Sequence, residues 1–122
     1  MAAPNIVNVA TITGITTGRA LTTSLTTALV MNPASSGKVF KINSITVANV
    51  DGSSAADTSI EFYDSSASAA TRIASAVTVP AKTTLVVVDK NAAFYLEEGD
   101  IIRGGASANS DLECLITYEE IS

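Results

Sequence analysis

The chain has 122 residues, with seven basic against twelve acidic side chains, no histidine, no tryptophan and one cysteine. A formal charge of −5 argues against a nucleic-acid partner, which needs a basic stripe to displace counterions, and against an anionic membrane surface. With no histidine and a single cysteine, Ser-His-Asp and Cys-His catalysis, a zinc cluster and an internal disulfide are all excluded.

The apolar pattern is short and alternating nearly throughout. "NIVNVATITG" (5–14) and "RALTTSLTTALVMNP" (19–33) read as two or three threonine-rich strands separated by "GITTG". "SSGKVFKINSITVANVDGSS" (35–54) reads as a turn, a long strand and a turn at Asp51–Gly52. Within that strand Phe40 and Ile42 share one parity, Ile45 and Val47 the other, so a β-bulge is expected near Asn43–Ser44. "DTSIEFYDSS" (57–66) sets Ile60 and Phe62 against Glu61 and Tyr63. An alanine-rich stretch, 65–76, is the one weak helical candidate, and it overlaps strands expected at 71–79 and 83–89 around Pro80–Ala81–Lys82. Phe94–Leu96 and Ile101–Ile102 flank a further turn, and "DLECLITYEE" closes with Leu112, Cys114, Ile116 and Tyr118 on one face and Leu115 as an apolar exception on the other.

About eight short strands, with turn signals about every ten to twelve residues, predict a single all-β domain over 1–122. Its expected form is an antiparallel β-sandwich, jelly-roll-like. Residues rich in β-branched and hydroxyl side chains suit such a pleated, half-exposed surface, and the straight-chain helix formers are scarce. Charged residues are only 16%, so the surface is covered by Ser, Thr, Asn and Ala or hidden in an assembly. No leader pattern and no apolar run of membrane-spanning length occurs, so a soluble protein made in a cytosol is expected.

Four stretches invite a chemical reading. Glu97, Glu98 and Asp100 with Arg103 resemble an acid/base group, but neighbouring residues of an extended segment point to opposite faces, and Glu98-Gly99-Asp100 fits a tight turn. "GGASANS" (104–110) lacks the lysine and following helix of a phosphate loop, and reads as a flexible loop between antiparallel strands, as does "TGITTG". Asp51, Ser53 and Asp57 lack the ligand ladder of a calcium loop and read as a polar hairpin. Lys38, Lys41, Lys82 and Lys90 carry no sign of desolvation, and Cys114 alternates with core residues as an inert buried thiol would. No cofactor and no enzymatic activity are expected.

"MAAPNIVNVATITG", "KVFKINSITVANVDGSSAADTSIEFYD" and "YLEEGDIIRGGASANSDLECLITYEEIS" together cover most of the chain. They resemble small virion structural proteins of marine tailed phages, cyanophages among them, with Thr117 where serine is common. The resemblance implies a virion component assembled in the host cytoplasm. A compact β-domain poor in charge suits a capsid decoration, or cement, protein, a class of small β-sandwiches that are commonly trimeric. Its partners would be the major capsid protein or other virion proteins. Residues 1–9 would then form an extended arm, with Pro4, Asn5, Ile6 and Val7 as contacts made by strand addition. A neck, tail or fibre-base component is the alternative. A carbohydrate- or receptor-binding module is a third reading, for which Tyr63, Phe94 and Tyr95 are the aromatics free to stack on a sugar.

Overall fold

The computed structural model describes residues 9–122, and its elements are strands joined by turns. They are β1 (Ile12–Ala20), β2 (Ala28–Met31), β3 (Val39–Asn49), β4 (Ala56–Asp64), β5 (Ala69–Val79), β6 (Thr84–Val88), β7 (Phe94–Leu96), β8 (Ile101–Ala106) and β9 (Leu112–Ile121). One sheet runs β1-β9-β3-β6, with β7 also on β3, and the second runs β2-β8-β4-β5. All pairings are antiparallel. The chain is therefore a small β-sandwich, as composition and alternation predict.

The ninth strand arises from an interruption. β6 pairs with β3 over Thr84–Val88 opposite Ala48–Ile45, and β7 continues along the same edge opposite Ile42–Phe40. A 3-10 turn at Lys90–Ala92, capped by Asp89 through its carboxylate and the Asn91 amide, separates the two halves. Each sheet is in effect four strands wide. Every connection except β4–β5 and β6–β7 crosses from one sheet to the other.

The expected bulge in β3 is present. β9 pairs Tyr118 with Ile42 and Thr117 with Ser44, so Asn43 is the extra residue. The half-turn it adds brings both parities inward: Phe40, Ile42, Ile45 and Val47 are all buried. Leu21, Ile60, Leu96, Ile102, Leu112 and Ile116 close the core between the sheets, with Phe40 stacked on Tyr118 at 5.3 Å between centroids. Leu115 stays 47% exposed on the outer face, where alternation places it.

Four expectations are corrected. "GITTG" does not separate strands; it is the middle of β1, and most of residues 21–27 is the connection instead. Glycine and threonine are tolerated there because β1 is an edge strand, and Gly18 leaves room for the Leu115 side chain, whose Cδ1 lies 3.3 Å from where a Cβ would stand. The alanine-rich stretch is not helical. Asp64 Oδ1 accepts from the Ser66 and Ala67 amides at 3.1 and 3.4 Å, the chain turns through Ser68 at φ 51°, and β5 pairs back on β4. Gly104 and Gly105 lie inside β8 and not in a flexible loop. The segment around Asp51 links β3 to β4 in the opposite sheet, so it is a crossover and no hairpin.

Candidate functional site

Of the three carboxylates that resemble an acid/base group, Glu98 and Asp100 are structural acceptors and Glu97 is exposed. Leu96 ends β7, and a turn closes with the Asp100 amide donating to Glu97 O at 3.0 Å through Gly99 at φ 90°. Glu98 turns back to accept from the Gly37 amide at 2.6 Å. Asp100 is buried, and its two oxygens accept from the Glu97 amide and from the Ser65 amide, each at 3.0 Å. One side chain thereby ties the β7–β8 crossover to the β4–β5 turn of the other sheet. Both oxygens of Asp100 and one of Glu98 are thus committed to backbone amides, and neither residue is bonded to a partner base.

Asn32, just beyond β2, completes this knot. It is fully buried; its Nδ2 donates to Lys38 O at 2.9 Å and Leu96 O at 3.1 Å, and its Oδ1 accepts from Ser36 Oγ at 2.6 Å. Its backbone also accepts from the Gly99 amide at 2.7 Å. Asn49 does the same work at the end of β3, with Nδ2 donating to Ser54 O and Val79 O at 2.9 Å each and Oδ1 accepting from the Asp51 amide at 2.8 Å. Asp51 itself accepts from the Ser53 and Ser54 amides, and these backbone bonds hold its carboxyl below the ordinary range. Asp57 accepts from Thr78 Oγ1 across the β4–β5 pair. Among the described residues no group of three or more His, Cys, Asp or Glu stands close enough to hold a metal.

One charged cluster lies on the outer face of the second sheet. Register places Arg103 of β8 and Arg72 of β5 on either side of Glu61 of β4. Arg103 Nε donates to Glu61 Oε2 at 2.7 Å and its Nη2 reaches the same oxygen, while Arg72 Nε donates to Oε1 at 3.2 Å. Arg103 also covers the Tyr63 ring, 4.5 Å from its centroid. This satisfies the buried Glu61 completely and accounts for Arg103. The sequence pointed to Arg103 alone; Glu61 and Arg72 become partners only through strand register.

The aromatics gather differently from expectation. Phe62 and Phe94 meet edge to face at 6.0 Å between centroids, and with Ile73, Val87 and Tyr95 they line an open groove of about 450 Å³ where the β5 and β6–β7 edges diverge. Tyr63 lies under Arg103, on the outer face and away from that groove. Pro4, Asn5, Ile6 and Val7 lie outside the described residues.

Cys114 is buried on β9, and burial pushes its thiol up from 9.0 to about 12. Above pH 9 the unfolded chain loses the thiol proton while the folded chain keeps it, so this group lowers stability as pH rises from about 9 to about 12. The native protein is expected to leave an aromatic disulfide reagent unreacted at pH 8 and to consume one equivalent in denaturant. Rapid native reaction would show the thiol to be accessible.

No model of a known protein family matches this chain, and no curated protein sequence does.

Proposed function

We propose that this chain is a phage virion structural protein, a capsid decoration protein that binds the outer surface of the head and stabilises it. The observation that carries the reading is the strand order, β1-β9-β3-β6 facing β2-β8-β4-β5, with crossovers at all but two connections. Counting β6–β7 as one interrupted strand, we read this order as a double-sheet jelly roll of eight strands, an architecture frequent among viral capsid and lectin domains. The chemistry agrees: Glu61, Glu98 and Asp100, the carboxylates nearest to a site, are engaged in structural bonds. The resemblance of the sequence to small virion proteins of marine phages supports the same class.

Fold does not carry function by itself, so the reading stands on an assembly experiment. Particles purified from the source phage are expected to contain the chain in stoichiometric proportion to the major capsid protein, and purified protein is expected to rebind stripped heads. A copy number far below that proportion would place it instead at the neck, tail or fibre base. Absence from particles overturns the virion reading. Removal of residues 1–9 is expected to abolish head binding while leaving the β-sandwich folded, because the arm is the proposed contact.

The groove lined by Phe62, Phe94 and Tyr95 favours a second reading, a carbohydrate- or receptor-binding module. Its lining offers few polar groups to orient a sugar, Thr71 and the Tyr95 hydroxyl among them. Binding on a glycan array that is lost in Tyr95→Ala would establish it over decoration.

A further inference from the structure

β1 ends its sheet, and the backbone groups along its outer side bond to no strand among the described residues. Their identity follows from the ladder with β9. Thr11 and Ser122 exchange both backbone bonds, at 2.9 and 3.0 Å. Alternation then aims the amides of Thr13, Ile15, Thr17 and Arg19 at β9, and turns those of Ile12, Gly14, Thr16 and Gly18 outward.

The other sheet edges are guarded. β2 has four residues and a register shift against β8. β5 has two register shifts against β4 and a left-handed residue, Ala76 at φ 49°. The β6–β7 edge is broken by the turn that carries Lys90. Short length, bulges, breaks and lysines are the devices that keep exposed edges from pairing. β1 has nine residues in unbroken register with β9, and no charge before Arg19.

We propose that β1 pairs antiparallel with β1 of a second copy of this chain, about a two-fold axis at Thr16. In that register the outward residues match themselves: Thr16 with Thr16, Gly14 with Gly18, and Ile12 with Ala20. Arg19 faces Thr13, so no charge meets a like charge across the junction. The second copy is favoured over a foreign strand because this two-fold register uses the whole strand, leaves no side chain larger than threonine at the three central pairs on the outer face, and sets the one charge, Arg19, opposite an uncharged residue. The result is one continuous sheet running from β6 of one copy to β6 of the other. An identical strand pairing with itself is isologous and closes as a dimer, in contrast to the trimer common in the decoration class. The proposal is independent of the decoration reading.

Sedimentation of the full chain is expected to give a dimer. Thr16→Pro is expected to give a monomer with an unchanged circular dichroism spectrum, because the Thr16 amide points away from β9. Thr16→Cys tests the register directly. Hydrogen-bonded antiparallel partners have Cα atoms about 5.5 Å apart, within disulfide range, so mild oxidation is expected to cross-link this variant into a dimer. Thr13→Cys faces Arg19 of the other copy and is expected to stay uncross-linked, and the buried Cys114 does not compete. A full-length monomer or trimer overturns the proposal. So does a dimer that Thr16→Pro leaves intact, or one in which Thr13→Cys cross-links in place of Thr16→Cys.

Discussion

Gly104→Ala is expected to destabilise the fold by about 3 kcal/mol, the upper range for forcing an atom into a packed interior. A Cβ at this position would stand 2.6 Å from Ser59 O and 2.7 Å from Ile60 Cδ1, with Ile60 Cα at 3.3 Å. β4 is an inner strand held by β8 on one side and β5 on the other, so Ser59 O has nowhere to retreat. Gly105→Ala meets Thr22 O at 2.7 Å and Ser24 O closer still. That segment is a connection and yields more easily, though yielding strains the bond from the Ala106 amide to Thr22 O. About 2 kcal/mol is expected there. Gly14→Ala is the control: nothing in its own chain lies within 4 Å of its Cβ position, and across the proposed β1 junction it faces Gly18, which has no side chain, so a change within about 0.5 kcal/mol is expected. Urea titration of the three variants reads the order directly, with the midpoint falling at constant slope. Equal midpoints for Gly104→Ala and Gly14→Ala would show that β4 and β8 do not approach as closely as described.

The two glycines show where the sequence stops being legible. "GGASANS" carries every local sign of a loop, because glycine, serine and asparagine favour turns. What demands glycine at 104 and 105 is the close passage of β4 and of residues 22–24, and those neighbours are remote in sequence. "GITTG" hides β1 for a related reason: an edge strand that packs few side chains needs no apolar alternation, so its periodicity is weak.

Parity was the more dependable guide. The switch between Phe40–Ile42 and Ile45–Val47 locates the β3 bulge at Asn43, because a strand buried on one face admits only one register. The same alternation places Leu115 outside and Cys114 inside. Turn chemistry was equally readable at Glu97–Asp100 and at Pro80–Thr83, where the Thr83 amide donates to Pro80 O at 3.2 Å. Turns do not state which sheet the next strand joins. The links at 50–55 and 97–100, each read locally as a simple turn, both cross the sandwich. The Glu61 cluster fails the same way, since Arg72 and Arg103 reach it from strands on both sides. Local rules thus find the elements, whereas the charged cluster and the buried asparagines depend on assembly of the whole.

Asn32 gives the sharpest test of that dependence. Its side chain makes three bonds with no solvent access, and two of them go to carbonyls, of Lys38 and Leu96, held 2.9 and 3.1 Å from one nitrogen. Asn32→Ala leaves both carbonyls and the Ser36 hydroxyl without this partner. At roughly 1–3 kcal/mol for each buried group left unsatisfied, a loss of about 4 kcal/mol is expected, allowing for partial rescue by water. Asn32→Asp preserves the volume and the acceptor for Ser36 Oγ but replaces the donor by an oxygen. At neutral pH a buried carboxylate then faces two carbonyls, and desolvation and repulsion both raise its folded pKa above the unfolded value. The linkage fixes the sign. The protonated acid donates one bond and the variant is least destabilised below about pH 4; stability falls as pH rises through the unfolded and then the folded pKa. At pH 7 Asn32→Asp is therefore expected to be less stable than Asn32→Ala, and at pH 4 the order is expected to reverse. Denaturant midpoints of both variants at the two pH values decide it. An Asn32→Asp protein as stable at pH 7 as the parent would mean that the β2 end, the 33–38 turn and Leu96 are not joined through this one amide, and that the crossovers of the sandwich are held by other means.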